Sequence, residues 1–443
     1  MSNMLTDLPD DILLELIKFT GVKFCQACKK LDTRRSQTGV TEVWSALKHV
    51  TLAQINNSLK RVNYNKVALD LAKVNIKMDY WLLPEITAKL PNLVSLKIEE
   101  DILHERMHGK YFARSISQSL ENCMYITSLD LSRCFATDLI MKEIFESLQL
   151  FLFLKSINVE DNYLNLNKAD HVADTLPNIK SLEVLKIGGS ENRISRTGAF
   201  NLGGVLHRCT NLRVLSLQND TRTNKIQGLA PGLALCTTLR ALDLKGIHMG
   251  IEGMHDFAPS LFLCTWLTVL EIERNYLDDE GTTTLASVIT GCSSLTTLNI
   301  ADNLIQDEGC IRIAESMLHV PTLQVLNLND NEVGDKGVQR LCEVLLSCTN
   351  LVVLQLQWNI IRDDSAKSFA NVLPKLVALK ELDLQQNEIT DTGATSLAEA
   401  LNQPLSLSKL HLGMNDFIDS REIELMLHDA NVNSDLWLTI KTE

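Results

Sequence analysis

Apolar residues recur along this chain in one register, a short alternation followed by helical spacing. The run Leu267, Leu270, Ile272 and Asn275 returns at Leu295, Leu323, Leu351, Leu379 and Leu407, each 28 residues after the last. Weaker copies start at Leu239, Leu212, Leu182, Leu154, Ile126 and Leu93, and a degenerate one lies around Leu69 and Leu71. The Leu-x-Leu alternation predicts a short strand with one buried face. Asn303, Asn331, Asn359 and Asn387 follow at a fixed offset, where a side-chain amide can satisfy backbone groups as the chain leaves the strand. An acidic helix start comes next, as at Asp278, Asp279 and Glu280, and then Leu285, Ala286 and Ile289 at the spacing of a buried stripe. A fixed period overrides the several separate domains that 443 residues would otherwise suggest.

A strand, an asparagine turn and a full helix in 28 residues resemble the ribonuclease-inhibitor-like subclass of leucine-rich repeats, over residues 126–417. The resemblance implies an α/β leucine-rich-repeat solenoid over 51–443. It would be a horseshoe of about 12–13 repeats with parallel strands inside and helices outside. The first repeats are degenerate, and a C-terminal cap is expected at about 420–443. In that register the third, fifth, seventh and eighth positions of each repeat face the concave side. They include Glu271, Glu273, Arg274, Asn299, Asp302, Asn327, Asn329, Asp330, Gln355, Gln357, Trp358, Asp383, Gln385, Gln386, His411 and Met414. Of these, Glu271, Glu273, Arg274, Asp330, Gln355, Gln357, Trp358 and Gln385 are the candidate partner-binding residues. Trp358, a large aromatic among amides, is the expected hot spot. Two irregular turns, at 188–193 and 219–225, add residues to their repeats, and the second is followed by a shortened helix.

Residues 1–50 do not follow the period. Leu8-Pro9-Asp10-Asp11 reads as a helix start, with Ile12, Leu13, Leu16 and Ile17 on one face and Gly21 beyond its end. Residues 22–31 predict a second helix, and Val43, Trp44 and Leu47 a third. This order resembles an F-box: Leu8-Pro9-Asp10 opens it, Cys28-Lys29-Lys30 fits the middle helix, and Val43-Trp44 with Leu47 fits the end. The stretch between Phe19 and Cys28 is about three residues short of the family pattern. The resemblance implies that Leu8, Pro9, Ile12, Leu13 and Leu16 bind a Skp-type adaptor, which joins a cullin ubiquitin ligase. The competing reading is a plain helical cap over the first repeat.

Candidate chemistry is sparse. His104-Glu105-Arg106-Met107-His108 matches a zinc-protease pattern, but it lies in a polar, variable half-repeat with no third ligand at a diagnostic spacing. Cys25 and Cys28 lack a second cysteine pair and fall on an apolar stripe with Phe24 and Leu31. Cys209, Cys236, Cys264, Cys292 and Cys348 each precede a repeat's first leucine by three residues, a core slot that elsewhere holds Leu90, Val320 or Leu376. No metal, cofactor or disulfide is expected, and no enzyme. Eleven cysteines placed as core residues fit a reducing compartment, so a cytoplasmic location is expected. A net charge of −13 argues against nucleic acid. The longest apolar run, 150–154, is far below the roughly 20 residues of a membrane span, and neither a signal peptide nor a membrane partner is expected. The leading functional expectation is the substrate-recognition subunit of a cullin-type ubiquitin ligase, with a protein substrate on the concave face. The alternatives are a repeat scaffold or inhibitor with no ligase attached, and third, a Ran GTPase-activating-protein-like role.

Overall fold

The computed structural model describes residues 42–45, 67–70, 80–90, 92–98, 109–134, 136–149, 151–164, 170–192, 194, 196–218 and 226–417. It also describes 421, 423, 425–427 and 437–439. The chain divides into two bodies, Met1–Arg193 and Ile194–Glu443.

In the first body the strands are β1 (Glu42–Ser45), β2 (Val67–Asp70), β3 (Leu93–Lys97), β4 (Ser128–Asp130), β5 (Ser156–Asn158) and β6 (Val184–Lys186), each parallel to the next. Between them lie α1 (Leu83–Ala88), α2 (Gly109–Glu121), α3 (Asp138–Leu148) and α4 (Asp170–Thr175). In the second body β7 (Val214–Ser216), β8 (Ala241–Asp243), β9 (Val269–Glu271), β10 (Thr297–Asn299) and β11 (Val325–Asn327) are followed by four more. These are β12 (Val353–Gln355), β13 (Glu381–Asp383), β14 (Lys409–His411) and β15 (Trp437–Thr439), all parallel. Its helices are α5 (Arg196–Leu206), α6 (Ala230–Leu233), α7 (Gly250–Phe262), α8 (Asp278–Ile289), α9 (Asp307–Met317), α10 (Asp335–Leu345), α11 (Asp363–Val372) and α12 (Asp391–Leu401).

Strands β4 to β14 each begin two residues after the first apolar residue of a repeat, so the period read from the sequence is the spacing of the sheet. Leu298 pairs with Leu326, and Leu326 with Leu354, one repeat apart. These leucines are fully buried, as are Ile305, Val333 and Ile361 two residues past the asparagine and Ile313, Leu341 and Phe369 on the helices. Each repeat thus supplies one layer of a core that only its neighbours complete.

One strand departs from the expectation. Val43 and Trp44, expected in a third N-terminal helix, lie in β1, whose register is Val43 on Ala68 and Trp44 on Leu69. Pairing with β2 gives this segment's backbone the hydrogen bonds that a single helical turn would leave open, and Val and Trp favour strands. The C-terminal stretch expected as a cap contributes β15, which adds one more parallel strand beside β14. Leu8, Pro9, Ile12, Leu13 and Leu16, the cysteines Cys25 and Cys28, the His104 to His108 motif and the 219–225 turn lie outside the described residues.

The asparagine that closes most of the described repeats is the polar centre of the fold, while the repeats beginning at Ile126 and Leu239 hold Cys134 and Ile247 in its place. Asn303 is fully buried. Its Nδ2 donates to the carbonyls of Ile300, Ala301 and, one repeat back, Ile272, at 2.9–3.1 Å. Its Oδ1 accepts the Asn275 N–H at 3.0 Å, and its own N–H donates to Asn331 Oδ1. Asn162, Asn275, Asn331, Asn359 and Asn387 likewise donate from Nδ2 to a carbonyl one repeat back. The irregular turn at 188–193 preserves it, because its extra residues precede Asn192, whose Nδ2 still reaches the Val159, Ile187 and Gly188 carbonyls. Gly189 makes this path open. Its φ is +108°, and a Cβ there would stand 2.2 Å from the Asp161 nitrogen.

The helix starts are secured across repeats. Asp279 Oδ1 accepts the N–H groups of Gln306 and Gly309, which open α9. Asp307 does the same for Gly334 and Gly337, Asp335 for Arg362 and Ser365, and Asp363 for Thr390 and Gly393. The acid at each helix start therefore caps the next helix. The following glycine admits the carboxylate: a Cβ at Gly393 would lie 2.5 Å from Asp363 Oδ1.

Asn303→Ala is expected to destabilise the second body by about 3 kcal/mol or more, because it leaves buried carbonyls and the Asn275 N–H without partners. Denaturant unfolding monitored by circular dichroism measures this; a loss below about 1 kcal/mol would show that the ladder is dispensable.

Candidate functional site

On strands β9 to β13 the central leucine points inward and its two neighbours are half-buried on the other side, as the alternation requires. The candidate residues occupy this outer side or the turn that follows it. Glu271, Glu273, Gln355, Gln357 and Gln385 are half-buried, whereas Arg274, Asp330 and Trp358 are exposed.

They fall into two groups. In the first, Asn299 Nδ2 donates to Glu271 Oε2 at 2.6 Å and to Glu273 Oε2 at 3.1 Å. Lys245 pairs with Glu273. Arg274 Nε donates to Asp302 Oδ2 at 2.8 Å. Burial pushes the Glu271 carboxyl above the ordinary carboxylate range, and Asp243 and Glu273 add to this, against the opposing pull of Asn299 and Lys245. Burial also raises Asp330, with Asp302 adding and Arg274 opposing. The second group is made of amides: Asn329 Oδ1 accepts the Gln357 N–H at 2.8 Å, and Gln357 Nε2 donates to Gln386 Oε1 at 2.6 Å. Asp383 Oδ1 accepts the Gln385 N–H, and burial raises the Asp383 carboxyl.

Trp358 lies beside the amides with 55% of its surface exposed. Its backbone is fixed: the N–H donates to the Gln385 carbonyl and the carbonyl accepts the Asn331 N–H, both at 3.1 Å. The residue is left-handed, with φ +57°, and so are Arg274, Asp302, Asp330, Gln386 and Met414 at the same place in their repeats. This conformation, costly for residues with a Cβ, belongs to the repeat rather than to Trp358 alone.

Three residues here escaped the sequence reading. Tyr276, Leu304 and Ile360 directly follow the ladder asparagines and are exposed, and the rings of Tyr276 and His248 lie 5.2 Å apart. In the two repeats between and beyond, the same slot holds Glu332 and Glu388. Comparing that slot across repeats would have exposed them. Two consecutive apolar residues follow each of these asparagines, and only the second, Leu277, Ile305 or Ile361, enters the core.

The nine described cysteines are free thiols. Burial pushes Cys236 and Cys292 up to about 12 and Cys264 to about 11. Among the described residues no group of three metal-ligating side chains comes together, and no helix is long and apolar enough to cross a membrane.

Residues 291–314, 319–342, 347–370 and 378–398 match the family model for leucine-rich repeats. These are leucine-rich repeats. No curated protein matches the chain. Among solved structures, the chain is similar to a crystal structure of an internalin from Listeria monocytogenes, 20% identical with a TM-score of 0.40. That alignment covers 66% of this chain and 82% of the internalin. It is also similar to a crystal structure of a TDR receptor, 15% identical with a TM-score of 0.41, covering 74% of this chain and 57% of the receptor.

Glu271→Gln is expected to raise the melting temperature at pH 7. The carboxyl holds its proton more tightly in the folded state than in the unfolded chain, so ionising it costs stability once pH exceeds the folded pKa. The cost disappears as pH falls through that pKa, so the gain should vanish by about pH 4. Scanning calorimetry at both pH values checks this; an equal gain at both would assign the effect to packing.

Proposed function

We propose that this chain is a protein-binding scaffold, with its partner held on the strand side of the second body around Trp358. The observation that carries the reading is the exposed indole of Trp358 beside hydrogen-bonded amides and carboxylates. Large aromatic side chains dominate binding energies at protein interfaces, and the pre-set polar groups around this one lose little freedom on docking. Tyr276, Leu304 and Ile360 extend the apolar contact along the same turns. Glu271, Glu273, Asp302 and Asp330 favour a partner segment carrying positive charge.

A finer reading attaches this scaffold to a ubiquitin ligase. It rests on the resemblance of Leu8-Pro9-Asp10 and the Ile12, Leu13, Leu16 face to an F-box, and the strand at Glu42–Ser45 removes the third helix from that resemblance. Gel filtration of the chain with a purified Skp-type adaptor tests it. The ligase reading requires a complex that is lost when Leu13 and Leu16 are both changed to Glu; absence of a complex leaves the scaffold alone.

Trp358→Ala should weaken partner binding by about 2 kcal/mol, roughly thirty-fold, with little change in stability. Leu354→Ala, in the buried slot of the same repeat, should cost about 2–5 kcal/mol of stability. The measurements are quantitative affinity capture with wild type and Trp358→Ala, titration of the captured protein once purified, and thermal unfolding of each variant. Partner binding indifferent to Trp358→Ala would place the interface elsewhere.

A further inference from the structure

The turns that carry each helix of the second body into the next strand differ in character from the rest of that body. Residues 206–213, 234–240, 262–268, 290–296, 318–324, 346–352, 374–380 and 402–408 contain no Asp or Glu, in a chain with 55 acidic residues. They do contain His207, Arg208, Arg213, Arg240, His319, Lys375 and Lys380. Arg240 is half-buried and the other six are exposed. The ion pairs formed among the described residues of this body use Lys245, His255, Arg274, Arg312, Arg340, Arg362 and Lys409 instead.

Helix C-termini favour cations and disfavour acids, which accounts for the charge. It does not account for the large apolar side chains on the same turns. Leu235, Leu263, Trp266, Leu318, Leu346 and Val377 are all exposed, Val377 to 71% and Trp266 to 57%. The core does not need them, because its slot in these turns is filled by Cys236, Cys264, Cys292, Val320 and Leu376. Leu346 and Val377 border a cleft that holds only about 20 Å³, room for a single water. The Arg240 guanidinium lies 5.6 Å from the centre of the Trp266 ring. Tryptophan beside a cation, set among threonines and protruding leucines, is a composition suited to the boundary between hydrocarbon and water.

We propose that this edge of the second body docks peripherally on an anionic phospholipid bilayer. The cations meet the headgroups while Leu235, Leu263, Trp266, Leu318, Leu346 and Val377 enter the acyl boundary. Charge complementarity selects the occupant. A second copy meeting this edge through its own would bring two acid-free, cationic rows together, and a folded protein needs pockets for protruding side chains, which a bilayer does not. The sequence carries no continuous apolar span of membrane length. Here the apolar residues are scattered over turns roughly 28 residues apart, where no span is formed and none is needed.

The test is flotation of the full chain with phosphatidylcholine vesicles, with and without about 30% phosphatidylserine. Binding is expected only to the phosphatidylserine vesicles, and to weaken about tenfold on raising salt from 0.1 to about 0.5 M. Leu263→Ser with Trp266→Ser, and separately Arg208→Glu with Lys375→Glu, should each cut the bound fraction by about fivefold or more. Thermal unfolding identifies any variant that misfolds, and Trp358→Ala, on the strand side, should float as wild type does. Absence of flotation with phosphatidylserine overturns the proposal. So does flotation that either pair of substitutions leaves unchanged, or an acidic protein captured by this edge while vesicles are not.

Discussion

The rest of the structure depends on a buried amide that recurs in most repeats. After three residues of strand the backbone must turn toward the helix, and the carbonyls at that corner face a core that offers them no water. An asparagine side chain donates to carbonyls of its own repeat and of the repeat before it, and accepts an N–H from that preceding repeat. Few other side chains combine two donors with an acceptor at this reach; Gln is one methylene too long and Asp cannot donate when ionised. Because one of these bonds always crosses to a neighbour, the amide that completes a turn also fixes the spacing between repeats. The register of the strands and the stacking of their leucines follow from it.

The same dependence on neighbours governs the helices. Asp279, Asp307, Asp335 and Asp363 each stand at the start of one helix and cap the next. Within its own helix such an acid would be a modest favourable charge. Across the repeat boundary it satisfies two N–H groups that its neighbour cannot, and the close approach explains the small residue two or three positions into each helix. A repeat cut from this array loses an amide partner on one side and a cap on the other, so stability belongs to the stack.

With the backbone satisfied internally, the outer surfaces are released for binding, and they have diverged. The strand side of the second body gathers carboxylates, amides and an exposed indole, fixed by hydrogen bonds from neighbouring strands. The helix-to-strand edge gathers cations and protruding apolar groups and excludes acids. A partner held by the first and a bilayer touched by the second would not compete for the same side chains.

The sequence by itself determined the repeat, its length, the strand positions and the inward faces, because period-two and helical burial leave their signature in every 28-residue copy. It also placed Glu271 and Glu273 on the outer side, since alternation with Leu270 and Ile272 leaves them nowhere else, whereas Arg274 and Trp358 lie in the left-handed turn beyond the alternation. Tertiary structure alone decided which acid caps which helix, since the donors lie some 30 residues away in the next repeat. It alone showed that Tyr276, Leu304 and Ile360 are outside while their apolar neighbours are inside, because at a turn neither period applies. And it alone made β1 of Val43 and Trp44, whose helical reading local propensity allowed, because the partner that made them a strand is β2, a segment more than twenty residues further along the chain.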